Sequence, residues 1–122
     1  MAKVFINHTN HPSTKWPEQE RREAEAYGDI VDIPFPAIGA DWDEQWVWSL
    51  AEENCRLLLA KEPAAVLCQG EFCYTYRLVQ LLQENGIKAL AATSERVAHV
   101  EVAEDGTSTT VSRFEFVRFR AY

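Results

Sequence analysis

The chain has no long apolar run: nowhere in its 122 residues is there the stretch of roughly eighteen hydrophobic side chains that a bilayer-crossing helix requires. Its opening, Met-Ala-Lys-Val-Phe-Ile, meets an Asn and a His before a secretory leader can build, so neither a span nor a signal peptide is expected and the protein should be cytoplasmic. Cysteine is scarce and odd in number. Cys55, Cys68 and Cys73 form no C-x-x-C, which argues against a disulfide framework and predicts buried free thiols. Basic residues are few, 12 against 19 acids for a net charge of -7, which excludes the broad basic surface used to coat long nucleic acid. A small anionic ligand needs only a few local donors and stays open. G-x-G-x-x-G, G-x-x-x-x-G-K-[ST] and G-x-S-x-G are all missing, so no dinucleotide cofactor, triphosphate hydrolysis or serine nucleophile is supported. The pair His8 and His11 has only His99 or an acid such as Glu71 to complete a cage, so no metal and no cofactor are expected.

What remains is 47% hydrophobic, enough for the core of one domain over residues 1–122. Lys3 to Ile6 reads as a buried strand that runs into Asn7-His8-Thr9-Asn10-His11-Pro12-Ser13, where nearly every side chain can make a hydrogen bond. Ser13 or Thr14 is placed to cap a first helix carrying Trp16, Pro17 and Glu18 and running to Tyr27-Gly28. Asp29 to Ile33 is a second strand, stopped by Pro34-Phe35-Pro36. A second helix starts at Asp41 or Asp43, with an apolar face of Trp46, Leu50 and Leu57 and, one step round, Val47, Ala51 and Leu58. The third strand, Ala64 to Cys68, breaks at Gln69-Gly70-Glu71 into a helix striped by Phe72, Thr75, Leu78, Val79, Leu81 and Leu82, until Asn85-Gly86 ends it. Ile87 to Ala92 is a fourth buried strand ending in Thr93-Ser94-Glu95-Arg96. Beyond it, Val97 to Val102 and Val111 to Phe119 alternate around Glu104-Asp105-Gly106-Thr107, an antiparallel hairpin. Phe114 and Phe116 have one parity and Val117 and Phe119 the other, which predicts a bulge or two covered faces.

Successive β-α units with right-handed crossovers predict an α/β fold, a Rossmann-like three-layer sandwich whose mostly parallel sheet has the order 2-1-3-4 and a C-terminal antiparallel hairpin. The order reverses between the first and third strands, and ligands bind outside the carboxyl ends of strands at such a point. Two polar strand ends border it, Asn7 to Ser13 and Gln69 to Tyr74, with Thr93 to Arg96 beside them. Bland readings stand alongside: His8 and His11 also suit capping and loop solvation, and Gln69-Gly70-Glu71 also suits a plain helix start. The inventory of turn amides, imidazoles, carboxamides and an arginine fits a phosphodiester.

The Asn-His loop after the first strand, the hydrophobic-Gln-Gly-Glu turn after the third and the β-α ladder with its terminal hairpin resemble the small CRISPR-associated proteins of type III systems. That resemblance implies a fold of the CARF type and ring nuclease activity on cyclic oligoadenylate messengers, with cyclic tetra-adenylate first, in a homodimer facing a symmetric ligand. It implies a metal-independent reaction in which a ribose 2′-OH attacks its phosphate and leaves a 2′,3′-cyclic phosphate end. On this reading His8 or His11 moves the proton, while Gln69, the Gly70 amide and Arg96 surround the phosphate. Asn7, Asn10 and Tyr74 orient ribose or base, Thr9 and Ser94 belong to the same ligand-binding set, and Glu71 serves as base or positions a hydroxyl. Two other classes stay open: a non-catalytic module that senses or sequesters a cyclic oligonucleotide, and an enzyme acting on another small phosphorylated or nucleoside substrate.

Overall fold

The computed structural model describes residues 3–122. Along the chain come β1 (Val4–His8), a 3-10 turn (Ser13–Lys15), α1 (Glu18–Glu25), β2 (Asp29–Asp32), α2 (Glu44–Leu59), β3 (Pro63–Cys68), α3 (Phe72–Glu84), β4 (Lys88–Val102) and β5 (Ser108–Ala121). The protein is α/β: one five-stranded sheet of order β2-β1-β3-β4-β5, parallel except for the antiparallel β4-β5 pair. The expected 2-1-3-4 order therefore holds, with the reversal between β1 and β3. No helix among the described residues is long and apolar enough to cross a membrane.

Strand alternation divides the core in two. Ile6, Val66, Cys68 and Ala89 point to one face, where α2 supplies Val47, Ala51, Cys55 and Leu58 and α3 supplies Leu78, Val79 and Leu82. Phe5, Ala65, Leu67 and Leu90 point to the other, covered by Ala24 of α1, Trp16 and Phe119. There the Phe5 ring lies 5.2 Å from Phe119, 5.7 Å from Tyr27 and 6.3 Å from Trp16. Each such aromatic pair adds about 1 kcal/mol beyond the area it buries, so this side of the core is held by rings rather than by helix surface.

Several local expectations are corrected. β1 continues through Asn7 and His8, because parallel pairing to β3 runs as far as His8 opposite Cys68. The 3-10 turn takes Ser13 and Thr14, and α1 begins after Pro17 with no side-chain cap, so Trp16 precedes the helix and is buried as a core ring. α2 starts at its Asp43 cap, whose carboxylate accepts from the Trp46 amide. Its inward face is Val47, Ala51, Cys55 and Leu58; Trp46 and Leu57 are exposed, because Trp46 packs on Trp42 instead, at 5.9 Å. On α3, Phe72 is exposed and Tyr74 is buried. Cys55 and Cys68 are buried free thiols, burial pushing the latter's pKa up to about 12, whereas Cys73 is exposed on the first turn of α3.

The largest correction concerns β4. It does not end at Thr93 to Arg96 but continues to Val102, pairing with β5 from Leu90 opposite Ala121 out to Val102 opposite Ser108. The ladder steps from Thr93–Arg118 to Ser94–Phe116, so Val117 is the extra residue of a bulge. That single insertion brings Phe116 and Phe119 onto one face, 5.1 Å apart, and resolves the parity conflict in the sequence. Beyond the bulge the two strands form a ribbon closed by a turn in which Ala103 donates to the Thr107 carbonyl and Gly106 adopts φ +87°.

Candidate functional site

The β1 and β3 ends present two different sites, one on each face of the sheet. On the α2/α3 face His8 is buried, with Nδ1 2.7 Å from the Ile33 carbonyl and Nε2 2.7 Å from the Tyr74 hydroxyl. A carbonyl only accepts, so Nδ1 carries the proton and Nε2 accepts from Tyr74, whose oxygen in turn accepts from Asn54 Nδ2 at 3.0 Å. Burial lowers the His8 pKa, against the opposing pull of the Ile33 carbonyl, and raises that of Tyr74. The imidazole is thus neutral, doubly bonded and sealed. Phe35 completes the seal, its ring 5.6 Å from His8 and 5.0 Å from Tyr74.

The same ring explains Gly70. A Cβ there would stand 2.4 Å from Phe35, so the glycine makes room for that ring. Glu71 caps α3, its two oxygens accepting from the Cys73 amide at 3.0 Å and the Tyr74 amide at 2.8 Å. Slight burial acts to raise its pKa, but those amide bonds outweigh it and hold the carboxyl below the usual range. His8 and Tyr74 therefore form a corner closed off inside the fold, while Gly70 and Glu71 stay exposed at the start of α3, Gly70 against Phe35 and Glu71 as its cap.

On the α1 face the strand ends open into a cleft of about 680 Å³. Thr9, His11 and Gln69 line it, as does Ser94, so the first polar loop and the Gln-Gly turn do meet across one space. The loop is built to present His11. The His11 carbonyl accepts from Asn7 Nδ2 at 2.9 Å and Trp16 Nε1 at 3.1 Å, while Asn7 Nδ2 also reaches Asp32 Oδ1 at 3.1 Å. Asp32 Oδ2 accepts from the Ser13 amide, and Thr9 Oγ1 donates to Asn7 Oδ1. With its backbone pinned, His11 lends its exposed ring to the cleft. Asn7 is a buried organiser of this loop, which corrects its expected contact with ribose or base.

Gln69 spans the gap where the β3-β4 ladder stops. Parallel pairing ends at Leu67 opposite Leu90, and beyond it the Gln69 amide takes over, accepting from Ala92 N at 2.9 Å and donating to Ala92 O at 3.2 Å. One Nε2 hydrogen is left for the cleft. Asn10 is exposed and stands apart from the lining, and Arg96 lies farther out on the ribbon, donating to Ser112 Oγ at 3.3 Å; neither is brought to the site.

Among the lining residues to which the sequence assigns no site role are Lys15, Glu20, Arg113 and Phe114. Lys15 arrives on the 3-10 turn, Glu20 on α1, and the other two on β5 ahead of the bulge at Val117. Arg113 pairs with Glu115 at 2.8 Å, and Trp16, Phe114 and Phe116 supply aromatic walls over a Leu67 floor. Glu20 is buried but takes part in none of the ion pairs formed among the described residues, and burial together with nearby Glu23 raises its pKa to about 7. No three His, Cys, Asp or Glu side chains converge on a common point among the described residues.

A cleft with an imidazole, two cations, an isolated carboxyl and aromatic walls can hold a planar, anionic molecule and move a proton on it. The chain is similar to the uncharacterized protein MJ1673 of Methanocaldococcus jannaschii, 33% identical over 63 residues that make up 52% of this chain and 48% of that protein. The similarity thus spans about half the length of that relative. No solved structure matches the chain. The family model for the uncharacterized protein MJ1673 family matches residues 3–120, and the chain belongs to that family.

Proposed function

We propose that this protein is a metal-independent ring nuclease that binds and cuts cyclic oligoadenylate, cyclic tetra-adenylate first, in the cytoplasm of cells with type III CRISPR defence. The observation that carries the reading is the cleft at the β1/β3 reversal, where His11 stands with Lys15 and Arg113 beside the aromatic walls of Trp16, Phe114 and Phe116. Cations suit phosphate oxygens and aromatic faces suit adenine. In the reaction the ribose 2′-oxygen bonds to phosphorus as its proton leaves. The P–O5′ bond breaks, and O5′ takes a proton from the His11 imidazolium. Lys15 and Arg113 offset the charge on the phosphoryl oxygens. The proposal reads the sheet and its helices as a Rossmann-like sandwich of the CARF type.

A homodimer belongs to the same proposal. The β4-β5 ribbon is exposed on both faces and carries Phe114, Val100 and Val102 at 75%, 62% and 71% exposure, on an arm that two strands alone hold weakly. A second copy seated there would cover these residues and extend the cleft across the two-fold axis. A second reading, a module that sequesters the ligand without cutting it, draws support from the engagement of His8, Gln69 and Glu71 in internal bonds, which leaves His11 alone of the sequence-derived catalytic set. Incubation with cyclic tetra-adenylate in EDTA separates the two. Linear products with 2′,3′-cyclic phosphate ends are expected; binding without products would favour sequestration, and neither would end both readings.

A further inference from the structure

Two acids line the cleft, and they differ in what holds them. Glu115 is tied to Arg113, with Nη2 at 2.8 Å and Nε at 2.9 Å from the same carboxylate oxygen. Glu20 is 9% exposed, faces the cleft from α1 and has no cationic partner among the described ion pairs. The charged and titratable groups around it are His11 and Lys15 from the first loop and turn, Glu23 on its own helix, and Arg113 and Glu115 from β5. A largely desolvated carboxyl that lines the same cleft as an imidazole but makes no ion pair has no evident task in holding the fold. Its burial is a cost that a plain surface acid on α1 would not incur.

Resting on the ring nuclease reading, we propose that Glu20 is the proton acceptor of the cleft, paired with His11 as donor. The Glu20 carboxylate takes the proton of the attacking 2′-OH as the O2′–P bond forms. The P–O5′ bond breaks, and O5′ takes the His11 proton, so one proton enters the carboxyl and one leaves the imidazole. Water opening of the cyclic phosphate is not required for this step. A group whose pKa sits at about 7 is matched to such work at neutral pH, being about half ionised yet basic enough to bind the proton in transit.

The test measures single-turnover cleavage of cyclic tetra-adenylate in EDTA from pH 5 to 9 for the wild type and Glu20→Gln, together with binding of the same ligand by each. The wild-type rate should climb with pH through about 7 as the Glu20 carboxylate forms, the acid limb of a bell-shaped profile whose alkaline limb reflects the need for a protonated donor. Glu20→Gln should bind within about threefold of wild type, cut at least 100-fold more slowly and lose that climb. A variant that cuts within threefold of wild type with the same profile would overturn the role of Glu20 and leave the nuclease standing. A wild type that binds and never cuts would overturn both, and the two failures are told apart by the wild-type reaction alone. Thermal melting at pH 8 guards against misfolding: the neutral, isosteric amide should melt no lower than the wild type.

Discussion

His8 and His11 leave the same strand end and finish in opposite circumstances. His8, on the α2/α3 face, has both ring nitrogens bonded and an aromatic plug over it. His11, on the α1 face, is held by its carbonyl and leaves its ring to the cleft. The difference lies in what covers each face. Two helices and Phe35 close the first side, whereas α1 is short and begins only after Pro17, so the ends of β3 and β4 on its side stay uncovered. A histidine next to a switch point is therefore not a site residue by position alone. Its parity on the strand, and the length of the helix opposite, decide whether it works for the fold or for a ligand.

The sharpest way to break this comparison is to truncate each ring. His8→Ala removes a buried imidazole and strands the Tyr74 hydroxyl and the Ile33 carbonyl, and should cost about 3 kcal/mol of stability. His11→Ala removes an exposed ring whose backbone bonds persist, and should change stability by under about 0.5 kcal/mol while lowering turnover about 100-fold or more. Urea unfolding followed by tryptophan fluorescence reads the first, and the cyclic tetra-adenylate assay the second. Equal stability losses would erase the distinction between the two corners.

Smaller effects sharpen it. Tyr74→Phe keeps the packing but leaves His8 Nε2 without its donor and Asn54 Nδ2 without its acceptor, for a loss of about 1–2 kcal/mol with ligand binding unchanged. Gly70→Ala tests the plug from the other side. The new methyl would meet Phe35 at 2.4 Å, so about 1–3 kcal/mol should be lost by overpacking unless the ring moves. Either variant that abolished binding at full stability would put the closed corner back in the ligand site.

These outcomes also mark what the sequence could disclose. Strand order was legible because apolar runs, helical stripes and the Asn85-Gly86 stop each specify an element, and right-handed crossovers leave few arrangements. The meeting of His11 and Gln69 followed from that order. Parity at the strand ends was not legible, because β1 gained Asn7 and His8 through pairing with β3, a long-range fact that no local pattern carries. Pro34-Phe35-Pro36 reads as a strand stop, and nothing local says that its ring crosses to Gly70. Arg113 and Phe114 enter the cleft only because β4 runs on past Ser94 and β5 bulges at Val117. Glu20 reads as one of several acids on a short polar helix, and nothing local says that it shares a cleft with Trp16 and the first loop.

The smallest expected effect separates the two faces by the sign of their pH dependence. His8 has a folded-state pKa below its ordinary 6.5, so the unfolded chain binds the extra proton and stability falls as pH drops below 6.5. Glu20 runs the other way: its pKa rises from 4.5 to about 7 on folding, so the folded chain holds the extra proton and stability is lost as pH rises through that window. Unfolding free energies measured from pH 4 to 9 should show Glu20→Gln removing the decline between 4.5 and 7 and gaining about 1 kcal/mol at pH 8, once solvent screening is allowed for. The acid-side loss from His8 should persist in that variant, because the sheet lies between the two groups. If Glu20→Gln moved the acid limb as well, the closed corner and the cleft would titrate as one unit, and the division of labour between His8 and His11 would have to be given up.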